Sequence, residues 1–207
     1  IMPRHIVDII TMGCSKNLVD SEHLMAMFKS AGIDVFHNPD ELHGDIAVVN
    51  TCGFIGDAKE ESIEMILSLC EKKAQDLINQ VYVMGCLSER YRNELMEEIP
   101  EVDKFYGKFD WKQLLSDLNM ESGCDSVEAR AVTTPSHYAY VKIAEGCNRK
   151  CAYCAIPIIT GKHVSRPMED ILREVEGLVN KGVKEFQIIA QELTFYGVDL
   201  YGKQCIA

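Results

Sequence analysis

The 207-residue chain has no apolar run longer than a strand, well short of the roughly 20 residues that a membrane-spanning helix needs. It also has no internal repeat and no low-complexity segment. Its opening, Ile1 to Met12, reads as a strand with Asp8 inside it and carries no small-residue cleavage site, so no signal peptide is expected. Basic charge is scarce at first: residues 1 to 136 hold 12 Lys and Arg against 24 Asp and Glu, whereas residues 137 to 207 hold 9 against 8. An acidic first part is a poor electrostatic footprint for nucleic acid and a better one for a basic partner. With 47% hydrophobic and 26% charged residues, the chain reads as soluble and globular, with room for one large or two modest domains.

Cysteine, by contrast, is abundant. Nine thiols, an odd number, in a chain without export features argue for a reducing cytoplasm and for metal ligation.

Along the chain, residues 4 to 12 read as a buried strand ending at Gly13-Cys14, followed by a helix from about Val19 to Ala31 with Leu24, Met27 and Phe28 on one face. Ile33 to Phe36 and Ile46 to Asn50 are strands, the second running into Thr51-Cys52-Gly53. A helix over about Asp57 to Leu77 puts Ile63, Ile66, Leu67, Cys70, Ala74 and Leu77 at helical spacing. The strand Val81 to Met84 ends at Gly85-Cys86, and helices are predicted over Ser88 to Glu98 and Trp111 to Leu118, with Phe105-Tyr106 between them. This alternation predicts an α/β domain with a doubly wound parallel sheet over residues 1 to 118. Residues 119 to 136 are polar and aperiodic and read as a linker. From 137 onward a strand (Tyr138 to Ile143), a helix (about Pro167 to Lys181, with Ser165 as possible cap and Ile171, Val175, Leu178 and Val179 inward) and a strand (Phe186 to Ala190) read as the incomplete opening of a β/α barrel.

Two cysteine groups carry the chemistry. Cys147-Asn-Arg-Lys-Cys151-Ala-Tyr-Cys154 packs three thiols into one loop, too close along the chain to pair easily but able to converge on a soft metal centre. A structural zinc ion wants four closed ligands, and only His163 or His137 could complete the set, at an unusual spacing. Three ligands suit a four-iron cluster that keeps one iron open. The second group is dispersed: Cys14, Cys52 and Cys86 each end a different strand, and ligands of an open parallel sheet collect outside the carboxyl ends of its strands. Three separate structural thiols are the alternative. Cys70, on the apolar stripe of a helix, reads as core; Cys124 and Cys205 have no partner to name. His5, His23, His37 and His43 read as solvated or structural.

The Cys-x3-Cys-x-aromatic-Cys loop, with Tyr153 as the aromatic, resembles the signature of radical S-adenosylmethionine (SAM) enzymes. A three-cysteine N-terminal domain ahead of it resembles the methylthiotransferase family over nearly the whole chain. The resemblance implies two [4Fe-4S] clusters: Cys147, Cys151 and Cys154 hold the one that binds SAM and cleaves it to the 5'-deoxyadenosyl radical, while Cys14, Cys52 and Cys86 hold an auxiliary cluster that handles the inserted sulfur. Gly13-Cys14-Ser-Lys16-Asn17-Leu-Val-Asp20-Ser21-Glu22, Asn50-Thr-Cys52-Gly-Phe54-Ile, Thr134-Pro-Ser-His137-Tyr-Ala-Tyr and Tyr196-Gly-Val-Asp199-Leu-Tyr-Gly are similar to the RimO type. That type modifies the β-carbon of an aspartate of ribosomal protein S-twelve of the small subunit.

The same resemblance implies a flavodoxin-like or ferredoxin-like electron donor, a monomer, and Tyr153, Gln191 and Glu192 as cofactor-binding residues. The chain departs from the family at two places. Thr160 stands where many relatives carry Arg, and Ala190-Gln191-Glu192 stands where many radical SAM enzymes carry Gly-Gly-Glu, so for Gln191 and Glu192 a surface-loop role is the alternative. The rival functions are a tRNA adenosine methylthiotransferase and, from another class, a zinc-stabilised binding or scaffold protein.

Overall fold

The computed structural model describes residues 5–120 and 129–206; Cys124 lies outside them. The chain divides into two compact units, Ile1–Asp125 and Ser126–Ala207.

The first unit alternates strands and helices: β1 (Ile6–Thr11), α1 (Ser15–Ser30), β2 (Asp34–His37), β3 (Ile46–Thr51), α2 (Gly56–Ala74), β4 (Gln80–Gly85), α3 (Cys86–Glu98), β5 (Lys104–Phe105) and α4 (Trp111–Asp117). Its five strands are all parallel in the order β2-β1-β3-β4-β5. This is the expected doubly wound α/β arrangement. Apolar runs in β3 (IAVVNT) and β4 (QVYVMG) are buried almost throughout, as strands covered on both faces must be. One core gathers Val49, Ile66, Leu69, Val83 and Phe105, with Cys70 as a packing residue within it.

Helix boundaries differ from the periodicity-based expectation in an informative way. α1 starts at Ser15, four residues before Val19, with Cys14 as its N-cap residue, and α3 starts at Cys86 itself. The first turn of α1, Ser15-Lys-Asn17-Leu, is largely polar and hid the start; Asn17 within it is buried, as are Asp20, Ser21 and Glu22 in the next turn. α2 ends at Ala74, and Leu67 and Leu77 are exposed; Ser62, Ile66, Leu69 and Cys70 form its buried face.

The second unit contains β6 (Tyr138–Lys142), β7 (Ala144–Glu145), α5 (Ile156–Ile159), β8 (Val164–Ser165), α6 (Met168–Asn180), β9 (Glu185–Ile189), a 3-10 turn at Leu193–Phe195 and α7 (Val198–Tyr201). β6 and β9 pair in parallel with α6 between them in sequence, as the opening of a β/α barrel requires. β7 and β8 form a short antiparallel pair, which periodicity missed because two-residue strands carry no period. The Ser165 side chain does not cap α6; Pro167 takes the N-cap position, and the Ser165 hydroxyl instead meets His163 Nε2 at 3.1 Å and accepts from the Gly197 N–H at 3.0 Å.

The inward face of α6 also differs from expectation. Val179 is exposed, whereas Glu174 is buried and pairs with Arg130 (2.8 Å) and Arg166 (2.6 Å). Removing the carboxylate strands at least one buried guanidinium, so Glu174→Ala is expected to cost about 3–5 kcal/mol. Urea denaturation should show a lowered midpoint, with Glu174→Gln in between; an unchanged midpoint in both variants would assign the network no role in stability.

Candidate functional site

In the first unit the polypeptide delivers three thiols to the carboxyl ends of neighbouring strands. The sheet order reverses direction between β1 and β3, and that switch point is where doubly wound folds open a crevice. Cys14 follows β1, Cys52 follows β3 and Cys86 follows β4. Two of the thiols also sit at helix starts, Cys14 at α1 and Cys86 at α3. Gly13 makes the close approach possible: its φ is +88°, and a Cβ there would lie 2.6 Å from Cys52 Cβ and 2.8 Å from Cys52 Sγ. Only glycine tolerates both the conformation and the contact.

Asn17 stitches the three strand ends together. Its side-chain amide donates to the carbonyls of Met12 (3.0 Å) and Thr51 (2.9 Å), and its Oδ1 accepts from Cys86 Sγ at 3.6 Å. Asn50 in turn donates to Asn17 O (2.9 Å) and Ser21 Oγ (3.0 Å). The Cys52 N–H is held by Ser62 Oγ of α2 at 3.0 Å.

Burial pushes the Cys86 thiol up to about 12; Lys108 opposes the shift, and Cys14, Cys52 and Asp20 add to it. The Cys52 thiol is also raised, chiefly by burial, with Cys14 and Glu61 contributing. The surroundings of Cys52 and Cys86 therefore disfavour their anionic form unless a cation binds there.

In the second unit the thiols share one loop between β7 and α5. Gly146, at φ +72°, lies so close to Lys162 that a Cβ would overlap that residue's carbonyl. The loop is tied to the following segment by Cys147 N–H to Gly161 O (3.1 Å) and His163 N–H to Asn148 Oδ1 (3.0 Å). Within the loop, Cys154 N–H donates to Cys151 O (3.2 Å) and Arg149 N–H to Cys147 Sγ (3.4 Å). Cys147 is buried, Cys154 half-buried and Cys151 exposed.

Among the described residues, no three His, Cys, Asp or Glu side chains are gathered as the ligands of one metal ion. A four-iron cluster spreads its thiolates over separate irons, so its ligands need not converge as those of one zinc ion must. The donor set, all sulfur in each group, suits iron–sulfur ligation.

Two family models match the chain, the Uncharacterized protein family UPF0004 over residues 6–107 and the Radical SAM superfamily over residues 141–201. Among the curated proteins, the chain is 64% identical to the "Ribosomal protein uS12 methylthiotransferase RimO" of Phocaeicola vulgatus over 203 residues, 98% of this chain and 47% of that protein. It is 61% identical to the protein of that name from Porphyromonas gingivalis, covering 100% of this chain and 48% of the relative. For the one from Cytophaga hutchinsonii the identity is 48%, over 96% of this chain and 45% of the relative.

The chain belongs to the radical SAM methylthiotransferase family, RimO type. It spans about half the length of the curated relatives it matches. Membership of the family implies SAM and iron–sulfur clusters as cofactors. No helix among the described residues is long and apolar enough to cross a membrane.

The candidate SAM contacts have defined places within the second unit. Tyr153 is 94% exposed. The Gln191 side-chain amide donates to Glu145, which also pairs with Lys142 at 2.8 Å. Glu192 pairs with Arg149 of the cysteine loop and accepts from the Thr194 N–H at 3.0 Å. The Thr194 hydroxyl, which also donates to it, and then Arg149 do most to lower the pKa of its carboxyl. Thr160 donates its hydroxyl to the Ile156 carbonyl at 3.0 Å and closes α5.

Sequence reasoning missed the working parts of Asn17, Lys108, Glu145 and Arg149. Asn17 lay inside a recognised motif, but nothing in the residue order says that its side chain bridges three strand ends.

Proposed function

We propose that this protein is a methylthiotransferase that inserts a methylthio group at the β-carbon of an aspartate of ribosomal protein uS12. The observation that carries the reading is the likeness to proteins of that printed name over nearly all of this chain. The acidic balance of residues 1 to 136 suits a basic ribosomal protein. We assign Cys147, Cys151 and Cys154 to a [4Fe-4S] cluster that binds SAM, with Tyr153, Gln191 and Glu192 on the SAM side. Cys14, Cys52 and Cys86 are assigned to a second, auxiliary [4Fe-4S] cluster. In this reading residues 1–118 are the auxiliary-cluster domain, 119–136 the linker and 137–207 the first part of the radical SAM domain. The protein works as a cytoplasmic monomer served by a flavodoxin-like or ferredoxin-like electron donor.

When bound, SAM and the clusters supply hydrogen abstraction, the sulfur atom and the methyl group. The chain's own residues position them. Gly13 lets the Cys14 turn close on Cys52, and Asn17 fixes the strand ends relative to one another. Arg149, held by Glu192 and stacked 5.3 Å from the Phe195 ring, fixes the loop that carries Cys147 and Cys151.

The test is anaerobic reconstitution of the whole protein followed by incubation with SAM, reductant and either uS12 or tRNA. The expected result is the mass increment of one methylthio group on an aspartate-containing uS12 peptide. The same increment on a tRNA adenosine would overturn the substrate, and unmodified substrates with SAM consumed would overturn the reaction.

A further inference from the structure

Lys108 stands apart from the other lysines of the first unit. Its side chain is only 2% exposed, and burying an ammonium costs several kcal/mol unless nearby charge compensates it. Asp20, equally buried, supplies part of that compensation, with its Oδ2 at 3.7 Å from Lys108 Nζ. The backbone of Lys108 is pinned on both sides. Its N–H donates to Glu89 Oε2 at 2.9 Å, one turn into the helix that begins at Cys86, and its carbonyl accepts from Trp111 Nε1 at 2.7 Å. The Phe109 ring lies 5.4 Å from its ammonium. Asp20 lies one turn after Asn17, whose Oδ1 accepts from Cys86 Sγ at 3.6 Å, so the ion pair and the Glu89 bond hold Lys108 to the two helices that start at Cys14 and Cys86.

We propose that Lys108, buried against Asp20 and held to the helix that begins at Cys86, is the charge-compensating positioning residue of the Cys14, Cys52 and Cys86 group: its ammonium offsets the negative charge of a thiolate-bound iron–sulfur group there and raises that group's reduction potential. The proposal rests on the assignment of an auxiliary cluster to these three cysteines. A thiolate-ligated cluster becomes more negative when it accepts an electron, so a fixed cation nearby makes the reduced form easier to reach.

The test uses the whole protein with Cys147, Cys151 and Cys154 replaced by Ala, so that one cluster remains to be observed. Iron and acid-labile sulfide are counted first: about four irons per chain uphold the cluster assignment, and none would defeat that assignment before Lys108 is touched. Lys108→Met, Lys108→Gln and Lys108→Arg are then made in this background, and the midpoint potential is followed by EPR during a dithionite titration with mediators. The expected result is a midpoint shifted to more negative potential in the Met and Gln variants and unshifted in the Arg variant. Loss of iron from Met and Gln but not Arg, with the far-UV circular dichroism unchanged, also supports the proposal. An unshifted midpoint in Met and Gln, or loss of iron or fold in all three variants, would overturn it and leave Lys108 a structural ion pair.

Discussion

Replacing Cys14, Cys52 and Cys86 together by Ala is expected to lower the iron content of the anaerobically reconstituted whole protein from about eight to about four per chain. Labile sulfide should fall in parallel. These thiols reside in a unit with its own sheet and core, so the radical SAM loop keeps its ligands and reductive formation of 5'-deoxyadenosine should persist. Transfer of the methylthio group to uS12 should vanish. Four irons in both the wild type and the variant would sink the auxiliary-cluster assignment and leave a radical SAM protein with one cluster. Zinc in place of iron would return the thiols to a structural role.

The complementary substitution should have the larger kinetic effect. Cys147→Ala is expected to abolish 5'-deoxyadenosine formation, because the loop offers no spare thiol: among the described residues of the second unit, the remaining cysteine, Cys205, lies away from the loop, beside Gly197. The loop itself should survive the change. Its closure depends on backbone bonds from Cys147 N–H to Gly161 O and from Cys154 N–H to Cys151 O, and on the side chains of Asn148 and Arg149. Melting temperatures of wild type and variant without iron should therefore agree. Residual SAM cleavage at the wild-type rate would remove Cys147 from the ligand set.

Different parts of this protein were legible to different degrees. The strands were read well because buried parallel strands are short continuous apolar runs, and β3 and β4 have that form. Helix ends were read less well. The turn Ser15 to Leu18 is largely polar and hid the start of α1, whereas in the fold Asn17 is buried and bonds the strand ends, and Asp20, one turn on, is buried facing Lys108. Leu67, Leu77 and Val179 sit at helical spacing with core residues yet face solvent, because spacing alone does not say how wide the covered stripe is. Glu174 is the converse, a carboxylate taken into the interior because two guanidinium groups meet it there.

The sequence by itself determined the family, through a cysteine loop whose spacing is local to a few residues and therefore survives in the residue order. It also determined the α/β class, through alternating apolar runs and amphipathic segments. Only the tertiary structure decided that Cys14, Cys52 and Cys86 follow three neighbouring strands at a switch point, since that depends on the strand order β2-β1-β3-β4-β5. It alone placed Lys108 against Asp20 and Arg149 against Glu192. The physical reason is that contacts between residues far apart in sequence are set by sheet register and by the burial of charge, and neither leaves a periodic trace in the chain.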